Sequence, residues 1–512
     1  MCDATLLNLL LFLPVAGLAA LLAVPASREG LVRRITLWGM IVQFGLATIL
    51  YAHFDGSAAG LQFATRLPWI PDWGVSYHIG LDGINVLLVL LTAFLGPIVV
   101  AGSFTAIRKD VKLFYSMVFL IQFAMMGAFL AQDLFLFYIF WETMLIPMFL
   151  MIGIWGGERR IYATLKFVLY TAFGSILMLA AIIFLVLETK AATGAPSFAF
   201  ADLFSAPLPL RTQLWLFAAF GLSFAIKVPM VPLHTWLPDA HVEAPTTGSV
   251  ILAGVLLKMG TYGFMKLGLP LFPDATRMLS PVLMTLAVVS IVYGACLALV
   301  QNDIKKIIAC SSISHLGYVM LGLICLDPAG IQGAVIQMVS HGLVAAGLFL
   351  MIGMIYERCH TRDLAEYGGV ARLMPVYAVY FLILTFASVG LPTTSGFTGE
   401  FLVLLGAFNS GWTHHLQGTN LPLVLGVLAV TGVVLGALYM LRFAQKFLFG
   451  APKAPHQPLA ALEPREKILL AVLTVAIFAL GLFPAGAMGK TEKAALQYKA
   501  MVEATRVPGS AR

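Results

Sequence analysis

The stretch KVPMVPLHTWLPDAHVEAPTTGSVILAGVLLKMGTYGF, residues 227–264, is the most informative part of this chain about its fold. It begins with Lys227 at the end of one apolar run, and it carries Lys258 inside the next run. Pro229 and Pro232 interrupt the first run, because proline lacks the backbone N–H that a helix needs. Charged residues beside helix breaks in apolar sequence are typical of membrane proteins that move ions.

The composition of the whole chain requires lipid around most of its surface. Of the 512 residues, 60% are hydrophobic and only 11% are charged, whereas soluble domains carry about 25% charged residues. There are too few polar side chains to cover a water-soluble fold of this length. The formal net charge of +7 does not indicate nucleic-acid binding, because the basic residues lie in short clusters between apolar runs.

Apolar runs of membrane-spanning length recur along the chain and predict an all-α integral membrane protein with about fourteen transmembrane helices. They lie near residues 5–24, 31–52, 80–106, 113–131, 133–155, 162–187, 212–231, 245–267, 280–300, 307–326, 331–356, 373–409, 421–446 and 466–486. The run 373–409 contains Gly390, Pro392 and Gly396 and is interpreted as one broken helix. The first run is interpreted as a retained helix, because no basic segment precedes it.

Two broken helices in corresponding places predict an internal repeat. Each break would fall in the fourth helix of a five-helix unit, so we expect two inverted repeats that each contain a broken helix. The predicted organisation is three N-terminal helices over 1–112, repeats over 113–267 and 280–446, and a C-terminal helix with a tail over 466–512.

The basic clusters predict the orientation in the membrane. They comprise Arg28, Arg33, Arg34, Arg108, Lys109, Lys112, Arg159, Arg160, Lys305, Lys306, Arg358, Arg362, Arg442, Lys446 and Lys453. With fourteen spans they share one side, which should be the cytoplasm, and the segment 301–306 is expected to form an amphipathic turn there. Both termini are then expected on the periplasmic side of a bacterial inner membrane. The basic tail with Lys490, Lys493, Lys499 and Arg506 argues mildly against this orientation.

Four ionisable residues are predicted at membrane depth: Glu142, Lys227, Lys258 and Glu400. Each central charge costs roughly 2.5–3.5 kcal/mol on insertion scales, and charges retained at that cost usually mark ion or proton pathways. We therefore expect these four residues to transfer protons. The alternative is two inert ion pairs that hold helices together.

Four histidines in or near apolar runs are candidate relay residues: His234, His241, His315 and His341. A single buried histidine is more often a structural group, but several among buried lysines could carry protons together with water. Two further charged residues receive structural interpretations. Asp82 is expected to cap a helix, and Lys266, near a helix end, is expected to extend its amine toward the interface.

No redox cofactor or metal is expected in this chain. The cysteines form no C-x-x-C pair and match no zinc, haem or iron–sulfur spacing; they are Cys2, Cys296, Cys310, Cys325 and Cys359. The sequence also contains no glycine-rich nucleotide loop. A redox cofactor would have to belong to another chain.

Five stretches between about residues 80 and 450 carry a resemblance: FWETMLIPMF, the segment 227–264, NDIKKIIACSSISHLGYV, SHGLVAAGLFLMIGMIYERCHTRDLAEYGG and GLPTTSGFTGEFLVLLGAF. On them the chain resembles the antiporter-like membrane subunits of respiratory complex I, in particular the subunit M type, equivalent to mitochondrial chain 4. The resemblance implies that Glu142 is the acid of the fifth helix, and that Lys227 and Lys258 are the lysines of the seventh and eighth helices. Glu400 would be the twelfth-helix residue, which is lysine in the sister subunits. Thr393 stands where many relatives have glycine.

The resemblance implies a proton-translocating subunit of NADH:quinone oxidoreductase without redox chemistry of its own. FMN, iron–sulfur clusters and quinone would be bound by partner subunits, and sister antiporter-like subunits would lie on either side. One alternative is the D-type subunit of a multisubunit sodium/proton antiporter, which is similar around Glu142 and Lys227. Another is a non-pumping scaffold subunit.

Overall fold

The structure is a computed structural model that describes residues 2–58, 60–453 and 459–504, so Arg506 of the predicted basic tail lies outside the described residues. The helices of this part are α1 (Cys2–Ala23), α2 (Glu29–His53), α3 (Val86–Gly102), α4 (Val111–Leu130), α5 (Leu134–Thr143), α6 (Leu145–Trp155), α7 (Arg160–Thr193), α8 (Phe200–Phe204), α9 (Leu210–Lys227), α10 (Trp236–Glu243), α11 (Thr246–Ile251), α12 (Leu257–Gly263), α13 (Leu269–Leu271), α14 (Pro273–Val300), α15 (Ile304–Ile324), α16 (Pro328–Cys359), α17 (Val370–Leu373), α18 (Pro375–Val389), α19 (Ser395–Leu416), α20 (Leu421–Leu448), α21 (Pro464–Leu482) and α22 (Pro484–Glu503). Two π-helical turns, Leu252–Leu256 and Phe264–Gly268, join α11, α12 and α13 into one helical segment.

The membrane-protein fold is confirmed at the level of ten candidate spans in the described residues. The number is eleven if α21 and α22, which meet at an angle of 66°, count as one span. The prediction of about fourteen spans exceeds this number, because α3 and α18 are short apolar helices and breaks divide other predicted runs. The run 373–409 is indeed broken, between α18 and α19.

One element departs from the all-α prediction. Strands β1 (Gln62–Ile70) and β2 (Val75–Leu81) form an antiparallel hairpin, and Gly74 at its turn has a φ of 70°, which glycine adopts without steric cost. The hairpin is anchored by Asp133 at the start of α5, whose carboxylate accepts a hydrogen bond of 2.9 Å from the backbone N–H of Ser76. Residues 75–81, VSYHIGL, do alternate apolar and polar side chains, which is a strand pattern that the sequence interpretation missed, whereas residues 62–70 show no such alternation.

The structural interpretations of Asp82 and Lys266 are half right. Asp82 does cap the turn before α3, since Oδ1 accepts hydrogen bonds of 2.9 Å from the backbone N–H groups of Ile84 and Asn85. Lys266, however, does not extend toward the interface but forms an ion pair with Asp82, in which the two side chains are 12% and 13% exposed. The expectation for Lys266 is therefore wrong.

The helices that carry the predicted site lie inside the bundle. The spans α15 and α16 are buried along their apolar length, whereas only a minority of the residues of α1, α2 and α20 are buried. A helix that is apolar on all sides is stable only where neighbouring helices or lipid surround it completely. Polar side chains on α15 and α16 are therefore shielded from lipid by protein.

One end of the helix bundle carries clustered basic residues, and the other end carries the β-hairpin. At one end, called the basic end, Arg108, Lys305 and Arg362 line the same cavity. At the other, called the hairpin end, Asn8 of α1 donates a hydrogen bond of 2.8 Å to Thr65 of β1. The helix α22 also packs at the hairpin end, against the segment that follows α2. Basic clusters that are far apart in sequence are thus brought together at one end.

Candidate functional site

Glu142 and Lys227 lie near each other on neighbouring helices. Lys227 is the last residue of α9, its side chain is 3% exposed, and its amine lies 5.1 Å from the ring centre of Trp141 and 5.9 Å from that of Phe167. Glu142, next to Trp141, is half-buried and accepts a hydrogen bond from the hydroxyl of Ser175. The carboxylate is the charged group that attracts the lysine amine. The predicted acid–lysine pair is therefore brought together.

Side chains from other helices satisfy the backbone where α9 breaks after Lys227. The indole N–H of Trp236 donates a hydrogen bond of 2.9 Å to the carbonyl of Ile226. The backbone N–H of Val231 donates one of 3.0 Å to the hydroxyl of Ser290 on α14. Irregular backbone at membrane depth is tolerated only when protein or water makes such bonds. The break in α9 is therefore stabilised by specific hydrogen bonds from neighbouring helices.

Lys258 is fully buried on α12, between the two π-helical turns. Its amine donates a hydrogen bond to the carbonyl of Ala253 and lies 2.7 Å from Nδ1 of His341 on α16. Two residues further on, a Cβ atom at Gly260 would lie 2.7 Å from the backbone nitrogen of Val228. Glycine at this position lets the helix of Lys258 approach the break in α9 closely.

Hydrogen bonds and one contact between two histidine rings connect His341 with Glu400. Nε2 of His341 lies 3.1 Å from the hydroxyl of Ser312. The ring centres of His341 and His315 are 5.6 Å apart. Nδ1 of His315 lies 2.8 Å from Oε1 of Glu400, which also accepts a hydrogen bond of 3.0 Å from Gln337. His315, Gln337, His341 and Glu400 border a cavity of about 10 Å³, which is about the size needed for one water molecule.

We call Lys258, His341, Ser312, His315 and Glu400 the inner network. Four of its five members were predicted as site residues from the sequence. The network spans α12, α16, α15 and α19, and its groups can each accept and release a proton or relay one through a hydroxyl.

The two remaining histidines lie outside the inner network. His241 is fully buried, and neither of its ring nitrogens has a hydrogen-bond partner in the described part of the chain. The positive charges of Lys305 and Lys258 act electrostatically on its ring. His234 packs edge-on against the ring of Tyr293, with ring centres 5.5 Å apart. The structure thus places His241 beside the network and His234 away from it.

Comparison with known proteins identifies the family. The family described as NADH:quinone oxidoreductase/Mrp antiporter, TM, matches residues 131–443. NADH-quinone oxidoreductase subunit M from Rhodobacter capsulatus is 42% identical over 496 residues, which cover 94% of this chain and 93% of the relative. The chain belongs to the subunit M family. NADH-ubiquinone oxidoreductase chain 4 from Marchantia polymorpha is 40% identical over 478 residues, or 93% of each chain.

A solved structure supports the assignment to the subunit M family. A chain of respiratory complex I from Thermus thermophilus with bound NADH matches with a TM-score of 0.85 at 33% identity, over 97% of this chain and 99% of that one. The prediction of a complex I membrane subunit is confirmed. The matched family also includes antiporters, so the near full-length relatives decide between the two classes.

The subunit M fold buries one lysine that the sequence interpretation placed in a surface turn. Lys305, in the first turn of α15, is 6% exposed, and its amine donates a hydrogen bond of 2.6 Å to the carbonyl of Ala244. The interpretation of residues 301–306 as an amphipathic turn is wrong for this residue, because protein surrounds α15. Glu243 is also buried, and its carboxylate accepts a hydrogen bond of 3.0 Å from the backbone N–H of Arg159.

Lys305 and Glu243 line the large cavity at the basic end, whose volume is about 580 Å³. Both residues lie in stretches that carry the family resemblance, which is the signal that could have singled them out. Within the described residues, no group of three or more His, Cys, Asp or Glu side chains is arranged to hold a metal ion. Cys296, Cys310 and Cys325 are free thiols.

Proposed function

We propose that protons cross this complex I subunit through two stations, the Glu142–Lys227 pair and the inner network. The observation that carries the proposal is the series of close contacts from Lys258 through His341 and His315 to Glu400. A buried ionic network is a poor means of stabilising a fold, because desolvation cancels most of the attraction. Proton transfer along a chain of such groups is a function that explains why the protein retains them despite the desolvation cost.

The Glu142–Lys227 pair supplies the electrostatic control. For unit charges about 7 Å apart at an effective dielectric constant of 20, the attraction is roughly 2.4 kcal/mol. Moving one proton against 100 mV requires about 2.3 kcal/mol. The attraction lost when the Glu142 carboxylate moves away from Lys227 is therefore large enough to release the lysine proton toward Lys258. When the carboxylate returns, Lys227 can bind a new proton.

Protons enter at the basic end. The cavity there is lined by Glu243 and Lys305, and His241 lies on α10, the helix that ends at Glu243. We infer that His241, whose ring stacks on Phe349 of the helix that carries His341, passes protons from the cavity to the inner network.

The proposed topology has fourteen helices, with two inverted repeats over 113–267 and 280–446 between terminal groups over 1–112 and 466–512. Corresponding caps support the repeat: Asp133 caps α5 and Asp303 caps α15, each the second helix of its half. The backbone of each aspartate also forms an isolated antiparallel β-bridge with the segment after the third helix. Asp133 pairs with Ala199, and Asp303 pairs with Asp363. Asp133 contacts the hairpin, whereas Asp303 adjoins the basic end, as inverted repeats require.

The positive-inside rule gives the orientation of this topology. The basic end faces the cytoplasm, and both termini lie on the periplasmic side of a bacterial inner membrane. Sister antiporter-like subunits lie on either side of the chain. Redox chemistry in partner subunits, which hold FMN, iron–sulfur clusters and quinone, supplies the driving force.

Four variants in the assembled complex test the proposal. Lys227→Ala and Glu142→Ala should abolish the proton movement of this chain in proteoliposomes while the complex still assembles. Glu142→Asp, which keeps the charge, should be milder than Glu142→Gln. Lys109→Ala, which removes an exposed lysine at the surface, is the control. Normal pumping by the first two variants would exclude the mechanism and favour a scaffold role.

A further inference from the structure

Both ring nitrogens of His315 have polar neighbours, which come from three other helices. Nδ1 lies 2.8 Å from Oε1 of Glu400 on α19. Nε2 lies 3.3 Å from the hydroxyl of Tyr439 on α20 and 3.4 Å from the hydroxyl of Ser388 on α18. The inner network uses only the Nδ1 side of the ring. The two hydroxyls at Nε2 are therefore additional to it.

Tyr439 is held beside His315 by the packing of its helix. Its side chain is 2% exposed, and α20 packs against α14, α18 and α19. A buried phenol needs a hydrogen-bond partner, and this hydroxyl has two, Nε2 of His315 and the side chain of Ser311. Ser311 donates its own hydrogen to the carbonyl of Ile308, at 2.8 Å. The Ser311 oxygen therefore stays available to accept a hydrogen from Tyr439.

The contacts of Glu400 indicate which nitrogen of His315 carries the hydrogen. Oε1 of Glu400 accepts a hydrogen bond of 3.0 Å from the side-chain amide of Gln337, so this oxygen acts as an acceptor toward its nitrogen neighbours. A neutral imidazole has one N–H and one bare nitrogen, and the bond that one nitrogen makes fixes the state of the other. With its hydrogen on Nδ1 toward Glu400, the ring has a bare Nε2 that needs a donor.

Tyr439 is the better of the two donors at Nε2. Its hydroxyl is slightly closer than that of Ser388, and a phenol is more acidic than an alcohol. A hydrogen bond from the phenol to Nε2 excludes the tautomer with its hydrogen on Nε2. In that excluded tautomer, the bare Nδ1 would face the carboxylate of Glu400, and the two groups would repel each other.

We propose that Tyr439 is a positioning residue that holds His315 in the tautomer whose Nδ1–H faces Glu400. The inference rests on the proposed function and names the group that orients the last histidine of the inner network. In this tautomer the next proton that reaches His315 binds Nε2. The new N–H donates to the oxygen of Tyr439, whose own hydrogen turns to Ser311. The ring then carries two hydrogens and can pass the one on Nδ1 to Glu400.

A pair of tyrosine variants separates this role from packing. Tyr439→Phe removes one oxygen atom and should slow proton passage through this chain about 2- to 10-fold in proteoliposomes that contain the whole complex, which is the range for one neutral hydrogen bond. Tyr318→Phe is the matched control, because this buried tyrosine donates a hydrogen bond of 2.9 Å to the carbonyl of Ala429. The control should pump like the parent. Equal pumping by the two variants would overturn the inference.

A third variant tests whether the donated hydrogen is what matters. 4-Aminophenylalanine, introduced in place of Tyr439 by stop-codon suppression, keeps the ring and restores an N–H donor next to His315. It should recover at least half of the rate that Tyr439→Phe loses, whereas a packing role or a role as acceptor predicts no recovery over Tyr439→Phe. No recovery would overturn the inference. If Tyr439→Phe pumps like the parent while Lys227→Ala still abolishes pumping, this inference fails and the proposed function stands.

Discussion

Replacing His341 by glutamine tests the central link of the inner network. Nδ1 of His341 lies 2.7 Å from the amine of Lys258, and both side chains are buried. A hydrogen bond to a charged group contributes about 1.5–3 kcal/mol. Because 1.36 kcal/mol corresponds to a factor of ten in rate, His341→Gln should slow proton passage through this chain about 10- to 150-fold. Glutamine keeps a polar side chain in the space but cannot carry the proton.

The assay is proton uptake by proteoliposomes containing the purified complex, followed with a pH-sensitive dye during NADH oxidation. His234→Gln is the matched control, because the same change is made to a histidine that packs on Tyr293 outside the network. We expect the control to pump like the parent. The reasoning is refuted if the two variants assemble equally and pump equally, or if His234→Gln has the larger defect.

Three further changes probe the packing around the site. Thr393 has a φ of 85°, which costs a β-branched residue about 1–2 kcal/mol, so Thr393→Gly should raise the thermal unfolding temperature of the complex. A Cβ atom at Gly260 would press on the backbone of α9, whereas Gly436 has open space, so Gly260→Ala should destabilise by about 1–3 kcal/mol and lower the yield of assembled complex, and Gly436→Ala should not. Arg358 and Glu466 form a buried ion pair of 2.7 Å; Arg358→Met alone should cost about 3–5 kcal/mol, and adding Glu466→Leu should restore most of the unfolding temperature.

Local properties of the sequence were enough to infer the membrane environment and to select most of the candidate site. Apolar runs require lipid, and a charge within such a run is conspicuous because its cost is high wherever the run lies in the bilayer. For this reason Glu142, Lys227, Lys258 and Glu400 could be selected without a structure. The helix breaks were equally visible, because proline and glycine act on the local backbone. Thr393, noted as a departure from the family pattern, does adopt a conformation that favours glycine.

Which polar groups contact one another depends on how the helices pack. Sequence treats the four histidines alike, yet His315 and His341 lie in the network, His241 lies beside it, and His234 lies apart. It also misjudged Lys305, because the burial of a residue near a helix end depends on the helices that surround it. Hydrogen bonds between helices join residues that are far apart in the sequence. Local sequence patterns contain no information on which distant residues come into contact. Composition and apolar runs therefore indicated most of the helices and their unusual charges, whereas the packing of the helices determines the partner of each charge.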